Sequence, residues 1–158
     1  MKTIDSILLA KYILAKLGPM SHLKLQKLIY YAHAWHLVFT GEPLIDDQFE
    51  AWVHGPVSKT LWNKLKKLSI LNNEIALDKQ HHAEVIQRTE NLLNQEQLDI
   101  IKDVLDEYGK RSAYHLECLT HSEDPWIRAR RGLKEGEAGN SIISNRAIKR
   151  FYESRLES

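Results

Sequence analysis

Apolar residues recur at helical spacing along most of the chain, and punctuating residues separate the stripes. The first stripe predicts a helix from an N-cap near Thr3 to Leu17, stopped by Gly18 and Pro19. The second predicts a helix capped by Ser21 and ending near Thr40. That helix is apolar on so much of its circumference that it should be the central one. Further helices are predicted over 57–68 and after N-caps at Asn94, Ser112, Asp124 and Ser144.

Strand-like alternation is confined to short stretches. Phe49, Ala51 and Val53 alternate with more polar neighbours until Gly55 and Pro56, which predicts a short strand, with 43–45 as a candidate hairpin partner. One or two more short strands are predicted, at 74–77 and 84–87, within a segment of no firm period. The expected fold is mainly α: six or seven helices with a small β-hairpin or short strands.

The length of 158 residues suits one domain, assigned here to 1–158, with a substantial core. A single cysteine, Cys118, excludes an intrachain disulfide and favours a reducing cytoplasm. No apolar run reaches the roughly 18 residues that a membrane span needs. The apolar N-terminus is interrupted by Asp5 and Lys11, so a secretory signal is not expected.

The net charge of the chain argues against nucleic acid as the main partner. The 22 basic and 21 acidic residues nearly cancel, whereas a nucleic-acid-binding domain normally carries a clear basic excess. No helix-turn-helix pattern is evident. A DNA-binding autoregulator therefore stays an alternative, ranked below protein binding.

Histidine and cysteine spacing raises a second alternative, a small metal- or Cys-dependent enzyme. His33 and His36 stand three residues apart on the central helix, yet third and fourth metal ligands are missing nearby. Cys118, three residues after His115, falls mid-helix rather than at an activating N-terminus, and a small buried cysteine is the expected state. No nucleotide-binding or nucleophile motif is present. We expect no enzyme activity, no catalytic or metal site and no cofactor.

Four tryptophans are the remaining signal. Trp35 falls on the core stripe of the central helix. Trp52 faces the opposite side of its strand from Phe49, and Trp62 lies among lysines beside the stripe of the third helix. Aromatic residues at such positions serve either the core or a binding surface, and both readings stay open for Trp52 and Trp62.

The segment from Leu23 to Val57 resembles the hallmark of the Panacea domain, the SocA-like family that also includes phage-associated GepA-type proteins. The family pattern KLQKLxYYAxxWxL, GxPL and DxxxAWxxGPV is matched by Lys24, Leu25, Gln26, Lys27, Leu28, Tyr30, Tyr31, Ala32, Trp35, Leu37, Gly41, Pro43, Leu44, Asp47, Ala51, Trp52, Gly55, Pro56 and Val57. LTHSEDPW, from Leu119 to Trp126, resembles the second signature, and ISNRAIKRFY resembles the closing helix.

The resemblance implies an antitoxin that neutralises a cognate toxin by forming a protein complex. The toxin would be encoded in the adjacent gene, and no membrane partner is implied. The motif residues are expected to be architectural: Leu25, Leu28, Tyr31, Trp35, Gly55, Pro56, His121 and Trp126. A partner-binding patch is predicted at Trp52, His54, Lys59 and Trp62, where exposed aromatic and basic groups are expected.

Overall fold

The computed structural model describes residues 1–66, 70–71 and 74–156. Those residues form eight α-helices: α1 (Ser6–Leu17), α2 (His22–Thr40), α3 (Lys59–Leu65), α4 (His82–Leu92), α5 (Gln95–Tyr108), α6 (Ala113–His121), α7 (Asp124–Ala129) and α8 (Asn145–Leu156). They also form the short strands β1 (Phe49–Trp52), β2 (Gly55–Ser58), β3 (Ile70–Leu71), β4 (Glu74–Ile75) and β5 (Ile142–Ile143), and a 3₁₀ turn at Lys79–His81. The mainly helical prediction is confirmed, with one helix more than expected.

Helix α2 is central, as its apolar circumference predicts. Ser21 caps its N-terminus by accepting from the Lys24 amide, and Gly41 ends it in the left-handed conformation. Helices α5 and α8 pack along it, and α1, α6 and β2 cover its remaining sides. One apolar cluster draws residues from α1 through α8, so the described elements share a single core.

The strand prediction was right for β1 and wrong about its partner. β1 pairs antiparallel with β2, Phe49 opposite Ser58, and on its other edge with β5, Phe49 opposite Ile143. The expected hairpin partner, 43–45, instead packs Leu44 and Ile45 into the core. The Leu44 carbonyl accepts from the Ile4 amide at 2.9 Å, which joins this segment to the N-terminus.

The segment from 74 to 93 departs most from the sequence prediction. The strand expected at 84–87 is wrong, because those residues lie inside α4, which packs on α1. The buried side chains of α4 are Val85 and Thr89, one helical turn apart. Two residues make too narrow an apolar stripe for the helical period to be recognised in so polar a sequence. Of the strand expected at 74–77, only Glu74–Ile75 forms. Helix α3 ends at Leu65, and the predicted end at Leu68 lies outside the described residues.

Among the described residues, no helix combines the length and the apolar character that crossing a bilayer would require.

Candidate partner-binding surface

The β1–β2 hairpin is fixed to the central helix through one glutamine. Buried Gln26 on α2 bonds the backbone of Ser58 twice: its amide donates to the Ser58 carbonyl at 3.2 Å, and its oxygen accepts from the Ser58 N–H at 3.0 Å. The Ser58 hydroxyl donates to Asp47 at 2.6 Å and caps α3 by accepting from the Leu61 amide. Strand β2 and the start of α3 are thus held rigidly across α2.

This anchoring brings two of the predicted binding residues together. The rings of Trp52, on β1, and Trp62, on α3, lie 5.3 Å apart, and Trp62 stacks on His22 at 3.8 Å. All three side chains are half-buried, so each packs partly against the protein and stays partly open to solvent. Burial lowers the pKa of His22 to about 4, helped by Lys27 and Lys66, so this stacked ring is neutral near pH 7.

The two other predicted residues, His54 and Lys59, are exposed and have different neighbours. His54 is exposed at the hairpin turn, and its Nδ1 lies 2.9 Å from a carboxylate oxygen of Glu117 on α6. Lys59 is exposed at the start of α3, beside a shallow depression lined by Asp46, Asp47 and Glu50. We name these four residues, Trp52, His54, Lys59 and Trp62, the hairpin surface.

Trp126 of the second signature and Arg130, four residues later, bind the backbone of the hairpin. The Trp126 indole donates to the Trp52 carbonyl at 2.7 Å, and the Arg130 guanidinium donates to the Ala51 carbonyl at 2.8 Å. Arg130 lies over the Trp126 ring, whose other neighbour is the stacked His121 imidazole at 3.9 Å. Trp126 and Arg130 thus tie two consecutive carbonyls of β1 to α7 and the residue that follows it.

The aromatic centre of α2 contains a buried carboxylate. Glu123, 8% exposed, accepts hydrogen bonds from the hydroxyls of Tyr31 and Tyr152, both at 2.7 Å. The Tyr30 and Tyr152 hydroxyl oxygens lie 3.2 Å apart. Burial raises the pKa of Glu123, and the two phenol donors partly offset that rise.

Trp35 of the first signature and Tyr108 at the end of α5 complete this aromatic centre. Tyr108 stacks on Tyr31 at 4.2 Å, and its hydroxyl accepts from the Trp35 indole at 2.9 Å. Leu25 and Leu28 are fully buried on the same helix. The described groups around Glu123 therefore form a bonded network at the junction of α2, α5, α7 and α8.

His33 and His36 are buried, and each has polar neighbours at both ring nitrogens. His33 Nδ1 accepts from the Ile45 amide at 3.4 Å, so its Nε2–H donates to Asn145 at 2.9 Å. His36 Nδ1–H donates to the Glu42 carbonyl at 2.7 Å, so its Nε2 accepts from Gln97 at 3.2 Å. Burial lowers the pKa of both, consistent with these neutral tautomers. The arrangement is that of structural histidines.

Cys118 differs from expectation: it is exposed on α6 rather than buried. His115, one turn earlier, is also exposed. Across residues 1–66 and 74–156, no three histidine, cysteine or acidic side chains are grouped so that they could hold a metal ion.

Sequence reasoning missed Lys27. It is 1% exposed, and its amine has no hydrogen-bond partner among the described groups. Gly55 lies directly against it, since a Cβ built on Gly55 would overlap Lys27 Cε and come within 2.9 Å of Thr120 Oγ1. The available signal was a lysine inside the apolar run of a helix predicted to be buried all round.

The architecture is that of a mainly helical domain with one core and a small antiparallel sheet. The chain matches the family model described as Antitoxin SocA-like, Panacea domain, over residues 25–127, a range that contains the second signature and all of the first except Leu23 and Lys24. It is 32% identical over 133 residues to Antitoxin SocA of Caulobacter vibrioides (strain NA1000 / CB15N), covering 79% of this chain and 70% of that protein. No solved structure matches.

The chain therefore belongs to the SocA-like antitoxin family that carries the Panacea domain.

Proposed function

We propose that this protein is the antitoxin of a toxin–antitoxin pair, and that it neutralises its toxin in the cytoplasm by direct binding. The toxin is the product of the adjacent gene, and the antitoxin itself performs no catalysis. Family membership and the name of the Caulobacter relative support the antitoxin role.

The hairpin surface is the proposed contact. Trp52 and Trp62 touch each other and stay partly open to solvent on a rigidly anchored hairpin. Large aromatic side chains held in place on a surface are frequent energetic anchors of protein interfaces, because they bury much area at little entropic cost. His54 and Lys59 add polar groups at the margin. The contact between the two tryptophans is the observation that carries this assignment.

The test is co-expression with the adjacent gene, followed by co-purification and calorimetry of the complex. Wild-type chain should restore growth and bind stably. The double variant Trp62→Ala, Lys59→Glu should weaken binding by at least about tenfold, since truncating an interface tryptophan typically costs ~2 kcal/mol or more. Circular dichroism and thermal unfolding establish that the variant is folded.

The matched control is Phe39→Ala, Lys79→Glu, which also removes one exposed aromatic side chain and reverses one exposed lysine. Phe39 lies at the C-terminal end of α2, whereas the hairpin surface adjoins its N-terminal end at His22. Equal loss in both variants, or none in the first, would contradict the assignment of the surface. Growth arrest despite abundant folded wild-type chain would contradict the antitoxin function.

A further inference from the structure

The turn of the β1–β2 hairpin covers a buried amine. Lys27 reaches from α2 to the backbone of Gly55, where the glycine's missing side chain leaves the room that the lysine stem occupies. Gly55 has a φ of 113°, a backbone conformation that other residues rarely adopt. Both the space and the backbone angle therefore require glycine at the point where the lysine passes.

A second buried polar atom adjoins the same turn. Nε2 of His121 has no hydrogen-bond partner among the described groups, like the Lys27 amine. Thr120, the preceding residue, contacts the Gly55 position together with Lys27. The two polar atoms are close enough that the Lys27 charge contributes to lowering the pKa of His121, after burial.

An ammonium group with no acceptor is expensive to keep inside a protein. It has three N–H donors and no acceptor, so an anionic oxygen is its natural counterpart. Burial lowers the pKa of Lys27 to about 8, so most molecules still carry the charge at neutral pH. Glu117 raises that pKa in part, but its carboxylate is engaged with His54 at 2.9 Å.

We propose that Lys27 is the receptor for a carboxylate of the bound protein partner, admitted when the Val53–Gly55 turn opens. This inference rests on the proposed function, because the partner is the toxin. His54 belongs to both the turn and the hairpin surface, so a protein docked on Trp52 and Trp62 contacts the turn directly. Opening the turn breaks the His54–Glu117 contact, an exposed pair that contributes little, and a hydrogen bond between His121 and the Val53 backbone, so docking of the partner has to offset the loss of that bond.

The decisive variant is Lys27→Met, which keeps the length of the side chain and removes its charge. Removing an uncompensated buried charge should leave the melting temperature of the free protein unchanged or higher. Affinity for the protein encoded by the adjacent gene should fall by about 30-fold or more, as when one partner of a buried charge pair is truncated. Lys24→Met, three residues earlier on the same helix, is the control and should change affinity less than about twofold.

The outcomes separate cleanly. A sharp fall in melting temperature for Lys27→Met would show that the amine stabilises the free protein, which overturns the proposal. An unchanged melting temperature with unchanged affinity overturns it as well, and leaves the antitoxin function standing. If wild-type chain binds no product of the adjacent gene, both the function and this inference are wrong.

The carboxylate has two sources, an acidic side chain or the C-terminus of the partner. Double-mutant cycles distinguish the two sources. Each cycle combines Lys27→Met with one change in the partner: a single Asp→Asn or Glu→Gln substitution, or amidation of its C-terminus. One carboxylate should lose its effect on affinity once Lys27 is methionine. Full additivity for every carboxylate would overturn the proposal.

Discussion

Glu123 and Lys27 are both buried and ionisable, and both contact the central helix or belong to it, but their surroundings are opposite. Glu123 accepts hydrogen bonds from Tyr31 and Tyr152, and aromatic rings from three helices enclose it. Lys27 lies under a hairpin turn and has no hydrogen-bond partner among the described residues. A satisfied buried charge contributes to one particular packing arrangement, whereas an unsatisfied one costs stability in the free protein. The contrast separates residues that hold the fold from a residue kept for a partner.

The largest effect on stability is expected when the carboxylate is removed from the tyrosine network around Glu123. Glu123→Ala leaves the buried Tyr31 hydroxyl without its acceptor, leaves Tyr152 only its bond to Tyr30, and opens a cavity, so it should lower the free energy of unfolding by about 3 to 5 kcal/mol. Urea denaturation followed by circular dichroism measures it. Glu107→Ala removes an exposed carboxylate paired with Arg111 and should cost less than about 0.5 kcal/mol. A Glu123→Ala loss as small as that of the control would mean that the network does not stabilise the fold.

At alkaline pH the Lys27 amine should lose its proton, and the cost of burying its charge should disappear. Its pKa in the folded state, about 8, is below the unfolded value, so the unfolded chain binds more protons between about pH 8 and 10.5. Stability contributed by this group therefore rises with pH across that window. Between pH 7 and pH 10, the free energy of unfolding of the wild type should rise by about 2 kcal/mol relative to that of Lys27→Met. Ionisation of the tyrosines affects both proteins alike. Parallel stability curves for the two proteins would contradict the burial of a charged amine.

The smallest effect on stability is expected from substitution of His54 in the hairpin turn. His54 is 62% exposed, so its contact with Glu117 is open to solvent. His54→Ala should change the free energy of unfolding by less than about 0.5 kcal/mol in urea denaturation. Any loss of partner affinity in this variant then reports on binding rather than on folding. A destabilisation above about 1 kcal/mol would assign the turn to the core instead.

Local signals allowed much of the fold to be predicted. The span of α2 between Ser21 and Gly41 and the capping box of Asn94 and Gln97 follow from residues close in sequence, and the structure has both. The start of α1 was placed at Thr3, but the cap is Asp5, since both residue types suit an N-cap. Pairing of β1 with 142–143 was beyond prediction, because nothing near either segment specifies a partner about 90 residues away.

The candidate site was predicted only in part for the same reason. Aromatic side chains near Gly55–Pro56 marked Trp52 and Trp62, and the structure brings them into contact. Lys27 was treated as one letter of a motif, since lysine is ordinarily exposed. A lysine within the apolar run of α2 indicated burial, but the elements that bury it, β2 and α6, are brought to α2 only by tertiary packing.

Strand β5 and helix α8 lie outside the region matched by the family model, but both belong to the folded core. The family match ends at residue 127, yet Ile143, Ile148 and Tyr152 are buried in the shared core. A fragment trimmed to 25–127 would strip one edge from β1 and uncover the rings around Tyr30. Such a piece should aggregate rather than compete for the partner, so dissection of this antitoxin has to proceed by point substitution, not by truncation.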